Sequence, residues 1–277
     1  MEPELDEKQK LAIMEQEINI SKNMSRIKHK IAVISGKGGV GKSTVSVNIA
    51  AELSKRGYIA GILDADIHGP SVPKMLGVNG SMLEVDEDKL IPVKSDSGIN
   101  VMSIGFLLPS EDSPIIWRGP KKAGAIKQFL SDVKWSDLDV LIIDNPPGTG
   151  DEPLTVLQSI PSIDGVVVVT TPQSVAIDDV EKSINMAKSM KIKVLGVIEN
   201  MSGFVCPHCG EETPIFGKGG GEKMAKSMGV PFLGRLPIDP KTPTASDEGK
   251  PIMIKDPESP LATKFSKIID KIESEIN

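Results

Sequence analysis

Residues 36–44 read GKGGVGKST, and their setting decides the fold. An apolar run at 31–34 precedes them, and VSVNIAAEL, with helical spacing, follows. Strand, glycine loop and helix in that order make a phosphate-binding loop. The pattern G-x-x-x-x-G-K-[ST] is complete in Gly36, Gly41, Lys42 and Ser43. Glycines let the backbone curl so that several N–H groups face one anion. The helix starting near Lys42 adds the positive end of its dipole. The whole loop is therefore the expected nucleotide cradle: Gly36, Lys37, Gly38, Gly39, Val40, Gly41, Lys42, Ser43 and Thr44. Lys42 is expected on the outer phosphates and the Ser43 hydroxyl on Mg²⁺.

Further along the chain, other residues fit the same chemistry. A second strand is expected at 58–63, ending in DADIHGPSVPKMLG. Asp64 and Asp66 then sit at the carboxyl end of a parallel strand, where ligands of open α/β sheets bind. Asp64 suits the Mg²⁺ shell, and Asp66 suits orienting or deprotonating an attacking water. His68 reads as a loop histidine. Residues 80–120 depart from the alternating pattern. KLIPV and INVMSIG read as short paired strands, Trp117 as a packing residue, Arg118 as a surface or partner contact, and 121–130 as a helix. DVLIID at 139–144 is a buried strand ending in an acid, which places Asp144 as the second Mg²⁺ carboxylate. NPPGTGDEP follows, and its Gly148-Thr149-Gly150 turn can bring backbone N–H groups to a terminal phosphate. Strands are expected at 165–173 and 193–200, with a helix at 174–190 between them whose apolar face is Val175, Val180, Ile184 and Ala187. A helix at 220–228, the strand PFLGRLP and a final amphipathic helix at 261–276 complete the pattern. Pro237 and Asp239 fall where a nucleotide's base and ribose would lie.

Both cysteines of the chain, Cys206 and Cys209, stand in FVCPHCGEETPIFGKGGG at 204–221. This C-x-x-C spacing lets two thiolates grip one soft metal. A closed tetrahedral site needs four ligands. His208 is too close to both cysteines to serve well, and the context is not that of a thioredoxin-like redox pair.

The totals bound the rest. The chain has 277 residues, 39% hydrophobic and 25% charged, enough for a large α/β domain. The expected organisation is an N-terminal helical or flexible extension at 1–30, then one domain at 31–277 with the cysteine loop at 204–217. Net charge is −6 without a basic run, which argues against nucleic acid as a partner. No apolar stretch approaches the length of a membrane span. The final helix balances its lysines with Asp270, Glu273 and Glu275, so it is expected to pack on the fold rather than lie on a membrane. Two cysteines without a disulfide framework point to a reducing cytoplasm.

With Lys37 after the first glycine, GKGGVGKST resembles the deviant Walker A motif of the ParA/MinD/Mrp group of P-loop ATPases. The resemblance implies an α/β fold with a mostly parallel sheet flanked by helices on both faces. It also implies an ATP-dependent homodimer in which Lys37 reaches the partner's nucleotide, and an asparagine, Asn200, that reads adenine. DADIHGPSVPKMLG, WRGP, PPGTGD, ENM at 199–201, CPHCG and IFGKGGG together resemble the Mrp/ApbC family of iron–sulfur cluster carrier ATPases, over roughly 31–250. That branch implies a [4Fe–4S] cluster shared by the four cysteines of a homodimer, delivered to apo iron–sulfur proteins and gated by slow ATP hydrolysis. Zn²⁺ fits the same four thiolates. One departure is Asn145, where related sequences often carry an apolar residue or threonine. A positioning ATPase of the MinD/ParA kind and a zinc-stabilised dimeric regulatory ATPase are the competing functions; the first leaves the cysteine pair without a task.

Overall fold

The computed structural model describes residues 7–67, 69–107, 119–206 and 208–276. His68, Trp117 and Arg118 lie outside them. The chain opens with helix α1 (Glu7–Met24), strand β1 (Ile27–Ser35), α2 (Lys42–Lys55), β2 (Ala60–Asp64) and the short α3 (Val72–Met75). The excursion follows as β3 (Glu84–Asp86), β4 (Lys89–Ile91), β5 (Val93–Lys94) and β6 (Asn100–Ser103). Then come α4 (Gly119–Asp132), β7 (Leu138–Asp144), α5 (Asp151–Ser159), β8 (Gly165–Thr170), α6 (Ser174–Ser189) and β9 (Val194–Glu199). A hairpin of β10 (Phe204–Val205) and β11 (Glu212–Thr213) precedes α7 (Gly220–Met228), β12 (Phe232–Arg235), α8 (Lys241–Asp247), α9 (Ile252–Lys255) and α10 (Pro260–Ile276).

Eight strands form one sheet in the order β12-β9-β8-β1-β7-β2-β6-β5. Every pairing in it is parallel except β5 with β6, at one edge. Strands buried on both faces read as continuous apolar runs, and alternate residues serve opposite cores. Ile31, Val33, Val140 and Ile142 pack on one side with α2, α9 and α10. Ala32, Ile34, Leu141 and Ile143 pack on the other with α1, α4, α5 and α6. The expected parallel sheet with helices on both faces is what forms.

Among the boundaries that differ from the sequence reading, three stand out. β1 begins at Ile27, inside the stretch read as an extension, where Ile27 pairs in register with Leu138. Lys28 and Lys30 interrupt the apolar pattern, yet the strand accommodates both. Lys28 Nζ meets Asp139 at 2.6 Å, and the buried Lys30 turns its Nζ to the carbonyl of Ile27 at 3.0 Å. Second, the KLIPV stretch divides: β4 pairs with β3, and only β5 pairs with β6, at Val93–Val101. Third, β2 runs through Asp64, so that carboxylate belongs to the strand itself. In α6, Val180, Ile184 and Ala187 are buried as the spacing requires, while the Val175 side chain lies outside the described residues.

Candidate nucleotide and metal-loop sites

β1 is the central strand at which the sheet's order reverses, with β7 on one side and β8 on the other. A crevice opens at the carboxyl edge of such a strand, and the phosphate loop fills it. Gly41 takes φ 84 to start α2 at Lys42, a conformation that L side chains avoid. A Cβ there would also run into the side-chain amide of Asn200. The resulting cleft of about 200 Å³ is lined by Lys37, Gly39, Lys42, Ser43, Thr44 and Asp66, among others. Lys37 is half-buried along it.

Asp144 is fully buried and gathers three partners from α2. Lys42 Nζ lies 2.7 Å from its Oδ1. The Ser43 hydroxyl donates to Oδ2 at 2.6 Å, and the Ser46 hydroxyl donates to Oδ1 at 2.7 Å. Ser46 escaped the sequence reading. Its signal was the helical spacing: four residues after Lys42, it lies on the same face. A hydroxyl and a carboxylate this close form an all-oxygen donor pair, which suits a hard divalent cation such as Mg²⁺.

Asp64 pairs in register with Asp144 across β2 and β7. Burial first, and then the neighbouring Asp144 charge, push its carboxyl up to about 7, with Lys42 opposing. Its oxygens accept the N–H groups of Asp66 and Val72, each at 3.2 Å, and the Ser103 hydroxyl at 3.1 Å. Asp64 thus shapes the loop that carries Asp66. Asp66 lines the phosphate cleft and also a larger hollow of about 630 Å³ beside Pro147 and Gly150. Within the Gly148-Thr149-Gly150 turn, the Gly148 N–H donates to the Ser35 carbonyl at 2.8 Å. Asn145 is buried and donates from Nδ2 to the Pro153 carbonyl at 3.4 Å.

Asn200 follows β9 and meets the phosphate loop, its Nδ2 donating to the Val40 carbonyl at 2.8 Å. Pro237 and Asp239 lie beyond β12 and do not line the phosphate cleft. Asp239 accepts the Lys241 N–H at 2.8 Å, which fixes the turn into α8.

The cysteines occupy the tip of the β10–β11 hairpin, closed by pairs Phe204–Thr213 and Val205–Glu212. Both are free thiols; Cys206 is half-exposed and Cys209 exposed. The N–H groups of Cys209 and His208 hydrogen-bond to the Cys206 sulfur and hold its thiol below the usual range. Among the described residues no group of three or more histidines, cysteines or acids is placed to hold a metal. Val205 on the hairpin, and Ile215 and Phe216 just after it, expose apolar surface.

A parallel sheet with a complete phosphate loop and a buried strand-end aspartate on its lysine and serine defines a P-loop nucleotide-binding protein. The cell division ATPase MinD of Pyrococcus furiosus shares the fold, with a TM-score of 0.63 at 23% identity, covering 89% of this chain and 99% of that one. Residues 26–273 match the ParA-group family described as NUBPL iron-transfer P-loop NTPase, and the chain belongs to that family. An iron-sulfur cluster carrier protein of Methanocaldococcus jannaschii is 55% identical, covering 96% of this chain and 91% of its own. A nucleotide-binding protein of Archaeoglobus fulgidus, solved with ADP and with cobalt, is similar at 42% identity and a TM-score of 0.77. That match covers 88% of this chain and 94% of the other.

Proposed function

We propose that this chain is an ATP-dependent carrier of a [4Fe–4S] cluster. Two copies hold the cluster between their Cys206 and Cys209 pairs and deliver it to apo iron–sulfur proteins. The observation that carries this reading is the exposed hairpin tip: two thiols per chain, with one sulfur already supported by backbone N–H groups. Two thiolates leave a tetrahedral-thiolate cargo half-ligated, and a two-fold axis through the hairpin supplies the other two. The apolar rim of Val205, Ile215 and Phe216 suits burial against a second copy. Names of relatives, such as the Methanocaldococcus jannaschii iron-sulfur cluster carrier protein, point the same way.

In the nucleotide half, backbone N–H groups of residues 36–44 bind the phosphates, and Lys42 leaves Asp144 for the β- and γ-phosphate oxygens. Ser43 and Asp144 hold Mg²⁺, which supplies charge neutralisation on those oxygens when bound. Asp66, on the cleft wall, orients the attacking water. Lys37 crosses to the partner's phosphates and stabilises charge there. Asn200 reads the base. Hydrolysis loosens the bridge between subunits and alters the cysteine pairs.

The apolar face of α10 is occupied by the fold: Leu261, Phe265, Ile268, Ile269 and Ile272 are all buried. This packing speaks against α10 serving as the membrane-surface helix of a positioning ATPase.

Anaerobic reconstitution with iron and sulfide tests the reading, comparing the parent with Cys206→Ala and Cys209→Ala. The expected result is about two irons per chain, dependent on both cysteines and accompanied by dimer formation. Iron uptake unchanged in the variants, or absent from the parent, would reject the carrier and favour a zinc-clipped regulator.

A further inference from the structure

Glu199 ends β9 with no exposure to solvent, and the phosphate chemistry has no use for it. Its Oε1 accepts the Ser202 hydroxyl at 2.5 Å and the Gly219 N–H at 2.9 Å, while Oε2 accepts the Gly221 N–H at 2.6 Å. Arg235 Nε stands 3.3 Å from Oε1, an ion-pair distance without hydrogen-bond alignment. Gly219 and Gly221 are where the cysteine hairpin rejoins the body of the protein, at the start of α7. Glu199 therefore grips the hairpin's exit. The hairpin's entry is fixed by the same turn: the Ser202 N–H donates to Leu236 at 2.9 Å, and the Gly203 carbonyl accepts Ile238 N–H at 2.8 Å.

The next residue faces the other way. Asn200 donates its side-chain amide to the phosphate loop at Val40, and its own N–H is anchored on the Thr170 carbonyl at 2.7 Å. One short turn thus touches the nucleotide cradle with one side chain and the root of the cysteine hairpin with the neighbouring one. There is little slack between them. A Cβ on Gly221 would come within 2.9 Å of Thr170 Cγ2 and 3.1 Å of Glu199 Oε2, and one on Gly220 would overlap the Pro172 carbonyl. Densely packed groups of this kind move together rather than deform one by one.

We infer that Glu199 is the positioning residue through which nucleotide at the phosphate loop sets the geometry of the Cys206/Cys209 hairpin. The inference deepens the coupling proposed above and rests on it. A shift of Asn200 against Val40 moves the end of β9, and the Glu199 carboxylate carries that shift to the two amides it holds.

Cys206 and Cys209 are the chain's only thiols, so alkylation reports this hairpin alone. Iodoacetamide labelling under anaerobic conditions, with and without Mg²⁺ and a non-hydrolysable ATP analogue, would compare the parent, Glu199→Gln and Ser202→Ala. In the parent, the analogue is expected to change the labelling rate about fivefold. In Glu199→Gln, checked as folded by circular dichroism, that response falls below about twofold while analogue affinity stays within about twofold of the parent. Ser202→Ala, which removes one bond to the carboxylate, gives an intermediate response. A folded Glu199→Gln that responds like the parent overturns the inference, as do parental thiols indifferent to the analogue. Should Glu199→Gln fail to fold, Ser202→Ala decides: a reduced response supports the inference and a full one rejects it. Nucleotide-responsive thiols in a chain that takes up no cysteine-dependent iron would sink the carrier reading and leave the Glu199 connection standing.

Discussion

Lys42 and Asp144 are each other's counter-charge, at 2.7 Å and nearly closed to solvent. Removing one member of a buried pair costs about 3–5 kcal/mol because the survivor is left uncompensated. Lys42→Ala is expected near the low end, about 3 kcal/mol by urea unfolding, since Ser43 and Ser46 still hold the carboxylate. It should also abolish detectable ATP binding by calorimetry. Asp64 gives a pH signature. Its folded carboxyl lies at about 7 against an ordinary 3.8, so the native state holds a proton that the unfolded chain has lost. Its contribution to stability is therefore present at low pH and is lost as pH rises towards about 7. In nucleotide-free protein, melting temperature measured from about pH 5 to about pH 8 should fall less in Asp64→Asn than in the parent. Lys42, Ser43 and Asp144 were legible in the sequence because phosphate chemistry demands those types at a strand edge and a helix start. Ser46 and Glu199 were not. Serine and glutamate suit almost any surface, and only the distances to Asp144 and Gly221 reveal their work.

At the scale of elements, α10 shows how spacing becomes packing. Leu261, Phe265, Ile268, Ile269 and Ile272 recur at helical intervals and are buried. Arg56, at the end of α2, ties that helix down. Its guanidinium meets Asp270 at 2.8 Å, the Ser266 hydroxyl at 2.7 Å, Glu52 at 3.0 Å and also Glu273. Phe265→Ala should cost about 3–5 kcal/mol in chemical denaturation, with nucleotide affinity retained in the folded fraction. The amphipathic pattern alone left a choice between a membrane and a protein surface. The balance of its lysines by Asp270, Glu273 and Glu275 favoured protein, and the buried face agrees. The start of β1 was harder to read, because Lys28 and Lys30 break its apolar run and the partner of Lys28, Asp139, lies far away in sequence.

For the whole molecule, the two sites share one edge of one sheet, and the cysteine hairpin projects from it with an apolar rim. A second copy covering that rim predicts that Phe216→Glu weakens association. In sedimentation velocity after reconstitution, the dimer fraction should fall well below the parent's, while ATP affinity of the monomer stays within about twofold. A dimer untouched by Phe216→Glu would move the interface elsewhere.

Fold class, the glycine loop with Lys42 and Ser43, the strand-end Asp144 and the C-x-x-C pair were all legible in the sequence. Each is set by local rules: apolar periodicity, glycine conformations, and the ligand chemistry of phosphate, Mg²⁺ and sulfur. Tertiary structure alone decided that Lys42 and Ser46 converge on Asp144, that Asp64 shapes a loop, and that Glu199 holds the root of the hairpin. The first and the last join residues distant in the chain. They depend on strand order, register and burial, which no short stretch of sequence encodes.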